Sequence, residues 1–585
     1  MASAEPTGKV SSRGLWALWD WAAALLLFLG TAAVVLWQNS RLAVLWDLSY
    51  ILENSYRISI GQLPYRDFPF PYAPLTFLIQ ALQIRLTGRA FFHHALYCAV
   101  VGGAGTLLTW RILVHLLRSL FKSFRLLAFS LSLPLTVLGI YCVFPHPFYD
   151  PDCTFVILCC VLLLVHLERK EFPARFAFFT GMICSLPVFI KQNTGLAFLA
   201  MTGLSAILSI AVEVRQRGRR AAGFASLLGG MAAGAGAATL LLHYTVGVRN
   251  YTHWTIAFAA SRRLPRLAEM FLPFENPLLL VWIAALAAGA FLLRHNRQAD
   301  RWQRALSLTL MAAPFAWAVL YLFVETDSSE RSERLLALWP FLLIVSFLFA
   351  LRNIARGLSI TRLLPFILIG TVAGAFLSQQ LWGSTYAIWP FLIFLFAGIL
   401  NELFALAGER ASHELEWFAG IAAVCIFIAG SFYVVSHERL DYADVSSGEI
   451  ARSSLPALAG LAMRGPWIPQ FEELVRFSDR AIPRNEGILM IPGEDLFYYT
   501  TGRQAQFPVL MFDRTVNPYS PEEIADLARQ RNICWLVVKK NLQLNGEPVE
   551  EKDRLLGLLH EEFAPFKSLT NYEILRRQGC AHGPR

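Results

Sequence analysis

Trp46-Asp47-Leu48-Ser49-Tyr50, running on through Gly61-Gln62-Leu63-Pro64-Tyr65-Arg66-Asp67-Phe68 to Pro71-Tyr72-Ala73-Pro74, interrupts a chain otherwise dominated by long apolar runs. The surrounding segment 39–90 has the wrong hydropathy both for a membrane span and for a simple loop. Ile51, Tyr56, Ile58 and Ile60 alternate with Glu53, Asn54, Arg57 and Gln62; further on, Leu75, Phe77, Leu78, Ile79 and Leu82 alternate with Gln80, Gln83 and Arg85. This spacing predicts two amphipathic helices lying in the membrane interface, split by the turn from Pro64 to Pro74. Asp47 falls at the outer end of the first span, facing whatever the two helices enclose. A solvated helix-end carboxylate is the bland alternative, because interfacial charges cost little.

Outward from this stretch, the chain of 585 residues is 56% hydrophobic and only 16% charged, against roughly 45–50% and 25% in soluble domains. Apolar runs near 21–38, 92–114, 124–144, 153–167, 176–190, 195–212, 222–246, 277–293, 304–324, 335–351, 361–380, 386–405 and 417–436 give about thirteen expected spans. With the N-terminus in the cytoplasm, Arg111/Arg118/Lys122/Arg125, Arg169/Lys170/Arg175, Arg215/Arg217/Arg219/Arg220, Arg294/Arg297/Arg301/Arg304 and Arg352/Arg356/Arg362 all fall inside, as the positive-inside rule asks. The formal net charge of +9 is therefore a topology signal rather than a nucleic-acid surface. Lys9 and Arg13 before the first apolar run read as a retained signal anchor.

The expected fold is mostly α: a polytopic membrane domain over 1–436 and a C-terminal α/β extracytoplasmic domain over 437–585. In the latter, Gly487 to Pro492, Cys534 to Val538 and Tyr572 to Leu575 read as strands, and 468–480, 520–531 and 551–561 have helical spacing.

Of the nine cysteines, Cys98, Cys142, Cys153, Cys159, Cys160, Cys184 and Cys425 lie in or beside apolar spans, where Cys behaves as a small hydrophobe. Only Cys534 and Cys580 belong to the outer domain, where an external disulfide between them is an open reading. A Walker-type Gly-rich loop is missing, which leaves no sequence case for ATP hydrolysis.

A second acidic motif lies in the outer loop after the third span, His146-Pro147-Phe148-Tyr149-Asp150-Pro151-Asp152. Asp152 can serve as a helix cap, and Asp150 is the better candidate for function. Candidate cations on the same face are Lys191, in Lys191-Gln192-Asn193-Thr194-Gly195; Arg331 and Arg334, in the loop Glu325 to Arg334; and Arg66. Lys191 can equally snorkel to lipid headgroups, and the acids of the Glu325 to Arg334 loop can simply pair with its arginines. Arg262, Arg263 and Arg266 break the inside rule, suggesting a loop that meets an anionic lipid or donor. Tyr386, Trp389 and Pro390, after Gln379 to Ser384, read as interfacial belt anchors.

With both acidic motifs in place, the chain resembles the bacterial membrane glycosyltransferases of the GT-C fold, in particular the lipid A aminoarabinose transferases and the protein mannosyltransferase-like family. The likeness rests on Asp47 after the first span, the Gly61-x-x-Pro64-Tyr65-Arg66-Asp67-Phe68 turn, Asp150-x-Asp152, Lys191-Gln192, and the Phe497-Tyr498-Tyr499-Thr500-Thr501-Gly502-Arg503 stretch. Asp47-Leu48 departs from it, since many relatives carry two adjacent acids there. The resemblance implies transfer of a sugar from a polyprenyl-phosphate donor to an envelope acceptor at the outer face of the cytoplasmic membrane, by a single inverting displacement. Asp47, Asp150 and Asp152 would be catalytic, with Asp47 the base. Lys191, Arg331, Arg334 and Arg66 would hold the donor phosphate, while Tyr65, Asp67, Gln192 and Arg503 would contact substrate. A divalent cation is an option, although the sequence shows no full ligand set. A secondary transporter or lipid flippase would instead show related halves and midplane charges, and an assembly protein would not require the three acids on one side.

Overall fold

Apolar runs that must satisfy every backbone donor and acceptor without water become helices, and the chain folds accordingly. The computed structural model describes residues 11–580 other than Arg217, 296–300, 326–330, Ser332, 355–358, 379–385, Asp441, 446–447 and 546–551. The membrane part contains α1 (Ser11–Asn39), α2 (Leu45–Ser59), α3 (Leu75–Thr87), α4 (Phe91–Leu117), α5 (Phe124–Ser132), α6 (Leu135–Leu138), α7 (Tyr149–Arg169), α8 (Ala174–Cys184) and α9 (Gln192–Arg215). It continues with α10 (Ala221–Thr245), α11 (Val248–Thr252), α12 (Ala259–Arg263), α13 (Leu278–His295), α14 (Arg301–Val324), α15 (Leu338–Ile354), α16 (Ile360–Phe376), α17 (Trp389–Ala407) and α18 (Ser412–Tyr433).

Among the described residues nine helices are long and apolar enough to span, and the other four expected spans fall on the shorter apolar segments at α5/α6, α8, α15 and α16. Leu25, Leu280 and Phe323 are among the large apolar side chains left exposed on spanning helices, as lipid-facing surface requires. This is a multi-pass helical membrane protein.

Three boundaries differ from the sequence reading. The expected span 124–144 is broken at Pro134, which separates α5 from α6, and residues 139–148 run on without long helix. Asp150 and Asp152 lie inside the first turn of α7 rather than in a loop, and the N-cap is Phe148. Asp47 sits not on the first span but in the first turn of α2, beyond the break at residues 40–44. The two expected interfacial helices are α2 and α3; Gly61, at φ +101°, turns the chain after the first.

The C-terminal part carries a small antiparallel ribbon of β1 (Ile450–Arg452) and β2 (Ala462–Arg464), then α19 (Trp467–Ala481), β3 (Gly487–Ile491), α20 (Phe497–Thr501), α21 (Pro521–Gln530), β4 (Ile533–Lys539), α22 (Lys552–His560), β5 (Phe563–Ser568) and β6 (Tyr572–Arg577). The four-stranded sheet has order β3-β4-β6-β5, parallel between β3 and β4 and antiparallel elsewhere. Every residue of β3 and β4 is buried, which explains their unbroken apolar runs. The edge strand β5, exposed along most of its length, gives too weak a signal to have been expected. Cys534 and Cys580 are joined.

This domain packs directly on α2. Glu53 accepts from the N–H groups of Tyr498 and Tyr499 at 2.8 and 3.1 Å, and Ser49 donates to the carbonyls of Gly493 and Asp495.

Candidate active site

The start of α2 receives its hydrogen-bond partners from two distant parts of the chain. A helix N-terminus leaves backbone N–H groups orphaned; here Val44 N–H reaches Nε2 of His146 at 3.1 Å, and Leu45 N–H reaches Oε1 of Gln543 at 2.7 Å. Gln543 also donates to the Ala43 carbonyl at 2.8 Å. His146 Nδ1 faces Oδ1 of Asn39 at 3.2 Å, and burial pushes the imidazole down to about 3, so it is neutral and free to accept. Asp47 is thereby fixed between the second acidic motif and the C-terminal domain.

Asp47 keeps a little accessible surface yet is surrounded by protein. Burial raises its carboxyl to about 6; the Tyr442 hydroxyl, donating at 2.5 Å, and the Arg263 charge oppose the rise, while the Asp150 charge adds to it. Asp150 is 5% exposed and forms an ion pair with Lys191, itself 5% exposed. Tyr386 donates to its other oxygen at 3.4 Å. Lys191 is presented by the turn before α9, which packs against Gly195; a Cβ there would meet the Pro187 carbonyl carbon at 2.2 Å. Beside the acids stands an aromatic wall, with Tyr72 and Tyr149 ring centroids 4.8 Å apart and Phe148 4.2 Å from Tyr149.

Arg263, at the end of α12, lies over the Tyr72 ring at 4.2 Å and donates to the Tyr72 hydroxyl, to the Thr515 carbonyl at 3.1 Å and to the Thr515 hydroxyl at 3.2 Å. All these partners are neutral. Among the described residues it enters no ion pair, whereas Lys191 is already neutralised by Asp150.

The sequence-derived candidates therefore separate. Asp47, Asp150 and Lys191 come together. Asp152, 3% exposed, accepts from the hydroxyls of Thr76, Tyr97 and Tyr141 at 2.7, 2.8 and 2.6 Å; its two oxygens tie α3, α4 and the segment before α7 together. Tyr65 is buried and donates to the Tyr72 carbonyl at 2.6 Å, and Gln192 donates to the carbonyls of Pro71 and Thr255 at 3.0 and 3.2 Å, so both shape the wall from behind.

Arg66 and Asp67 pair with each other at 2.9 Å in an exposed turn. Arg503 is 4% exposed and spends its guanidinium on the carbonyls of Ser478, Ile482 and Pro483. These bonds tie it into the C-terminal domain. Arg334 donates to the Tyr321 hydroxyl at 3.0 Å, which in turn donates to Glu325 at 2.8 Å, and Arg331 is partly buried in the same turn; residues 326–330 and Ser332 of that loop lie outside the described residues, as does the junction Gln379 to Ser384. Tyr386 and Trp389 are 6% and 1% exposed, so they are buried side chains rather than belt anchors.

A divalent cation does not fit the acids. No group of three His, Cys, Asp or Glu side chains suited to a metal occurs among the described residues, Asp152 is capped by hydroxyls, and Asp150 is taken by Lys191. Sequence reasoning missed Tyr442, Tyr386, Tyr72, Tyr149 and Thr515 as parts of the site; for Arg263 the breach of the inside rule was the available signal.

Fold and site together define a multi-pass membrane protein whose titratable residues converge at one end of the helix bundle, beneath an α/β domain. No protein-family profile matches the chain, and no curated protein matches it. Among solved structures, ArnT from Cupriavidus metallidurans bound to undecaprenyl phosphate is similar at 12% identity and a TM-score of 0.46, over 98% of this chain and 100% of that one. The apo state of the same protein gives 12%, 0.47 and the same coverage. The Archaeoglobus fulgidus oligosaccharyltransferase in its apo form gives 10% and 0.45, over 89% of this chain and 69% of that one. Function is accordingly read from the side chains.

Proposed function

We propose that this protein is a membrane glycosyltransferase that moves a sugar from a polyprenyl-phosphate donor to a cell-envelope acceptor, with its site and C-terminal domain on the outer face of the cytoplasmic membrane. The observation that carries the reading is the pairing of a carboxylate raised to about 6 with a guanidinium that has only neutral partners, close enough to feel each other's charge. A base poised near neutrality and an uncompensated cation are what the reaction asks for. An acceptor O–H or N–H gives its proton to Asp47 as its heteroatom bonds to the anomeric carbon. The bond from that carbon to the phosphate oxygen breaks, and its electron pair leaves with the polyprenyl phosphate. Arg263 meets the charge that builds there.

Lys191 is ion-paired with Asp150 beside this centre, and the Asp150 charge adds to the rise at Asp47. Tyr72 and Tyr149 supply flat faces against which a sugar ring packs. One displacement with one base inverts the anomeric carbon.

The test is a transfer assay on purified protein with a panel of polyprenyl-phosphate sugars and extracted envelope acceptors. Asp47→Asn is expected to lower turnover by about 10²- to 10⁴-fold with the fold intact, and Arg263→Gln to lower it as well. Full activity in Asp47→Asn removes the base from the mechanism. Solute uptake into proteoliposomes without any transfer makes the protein a transporter instead.

A further inference from the structure

At the other end of α2 a second, mostly polar cavity of about 430 Å³ opens between the first outer turn and the C-terminal domain. That volume is within the roughly 300–1,000 Å³ of small-molecule sites, but the lining is unlike a usual apolar pocket: Arg57, Gln62, Asp67, Gln504, Gln506 and Arg531, with only Ala505 and Pro508 apolar. Arg57 is 3% exposed. It donates to Gln62 Oε1 at 2.5 Å and to the Pro508 carbonyl at 2.8 Å, and it lies 4.0 Å from the Phe68 ring centroid. Among the described residues it enters no ion pair, although buried charges are normally paired. Asp67, which also lines the cavity, is paired with Arg66 at 2.9 Å, so that it and Glu53 lend Arg57 charge only from beyond ion-pair distance. Arg531, across the cavity, is exposed and also enters no ion pair among the described residues. The cavity thus holds two guanidinium groups that enter no ion pair among the described residues, one of them buried, together with three side-chain amides.

We infer that this cavity is an anion-binding site for a phosphorylated sugar, the guanidinium groups gripping the phosphate and the amides of Gln62, Gln504 and Gln506 reading ring hydroxyls. The site is distinct from the acidic centre. Ten residues of α2 separate Arg57 from Asp47, about 15 Å along the axis. It rests on the glycosyl-transfer reading only in taking the phosphorylated sugar to be part of the acceptor, held remotely while its reacting group lies at Asp47. Remote binding energy of this kind is what positions a reactant.

The experiment is calorimetric titration of the full chain in phosphatidylcholine nanodiscs with glucose 6-phosphate, and with methyl glucoside as the neutral arm. Saturable binding of the phosphate sugar is expected, with no response to methyl glucoside. Arg531→Glu, at an exposed position that does not bear on folding, should weaken binding at least about tenfold; Arg57→Gln should abolish it; Arg263→Gln should leave it unchanged. Unaltered binding in Arg531→Glu, equal binding of the neutral sugar, or no saturable binding by the native protein each overturns the inference. Binding lost in Arg263→Gln and kept in Arg531→Glu would place the phosphate at the acidic centre and overturn it too. The titration needs no turnover, so a failure of the transfer reading leaves its outcome interpretable.

Discussion

At the scale of single residues, Asp47 and Asp152 show how one side-chain type is put to two uses. Three hydroxyls saturate Asp152, which makes it a tie between helices; one hydroxyl leaves Asp47 under-solvated and basic. Its carboxyl is higher in the folded state, about 6, than the ordinary value near 4, so the folded protein binds the proton more tightly. Stability associated with this group is present below about pH 4 and is lost as pH rises to 6. Ionised Asp47 then costs on the order of 2–3 kcal/mol at neutral pH. Asp47→Asn should therefore raise the melting temperature at pH 7.5 while lowering the proposed transfer by about 10²- to 10⁴-fold, and the native protein's rate of that transfer should show an acid limb near pH 6. A variant that melts lower than the native protein at that pH would show the carboxylate to be stabilising instead. Asp47 and Asp150 were legible in the sequence because acids stand out between apolar runs. Tyr442 was not, since it meets Asp47 across 395 positions and carries no charge to draw attention.

At the scale of elements, α2 is the hub. Its first turn bears Asp47, its middle Glu53 and its last turn Arg57. The period of apolar residues made the helix legible, but not its burial: twelve of its residues are buried, so it lies between the bundle and the C-terminal domain rather than floating in the interface. Glu53 is the polar tie that this arrangement requires. Burial raises it to about 8 although the N–H groups of Tyr499 and Tyr498 oppose the rise. The sign is that of Asp47: the folded state holds the proton, and the contribution fades as pH rises from about 4.5 through 8. Hydrogen exchange at residues 497–502, corrected for intrinsic rates, should accelerate between pH 6 and pH 9, and Glu53→Gln should flatten that dependence. Equal pH dependence in both proteins would remove Glu53 as the docking group.

At the scale of the whole molecule, the bundle and the C-terminal domain build one site. The span pattern and the basic loops were enough to lay out the membrane part, because water-free hydrocarbon forces helices and leaves a strong compositional trace. Nothing comparable marks how a polar domain docks, since its contacts are scattered backbone carbonyls and amides. Thr515 holds Arg263 from that domain, and Gln543 holds the backbone at Ala43 and Leu45, two residues from Asp47. Gln543 is thus a positioning residue for the proposed base. Its replacement by Ala leaves the Leu45 N–H without its acceptor, a loss of about 1–3 kcal/mol, and frees the first turn of α2 to fray. Turnover in Gln543→Ala should fall about tenfold or more, and the acid limb should drift from pH 6 toward the ordinary carboxylate range as water reaches Asp47. Gln543→Glu, which keeps the acceptor for Leu45, should recover part of the rate. A fall in rate with the limb fixed at pH 6 would mean that Gln543 serves only the fold, and an unchanged rate would mean that the bundle holds Asp47 by itself.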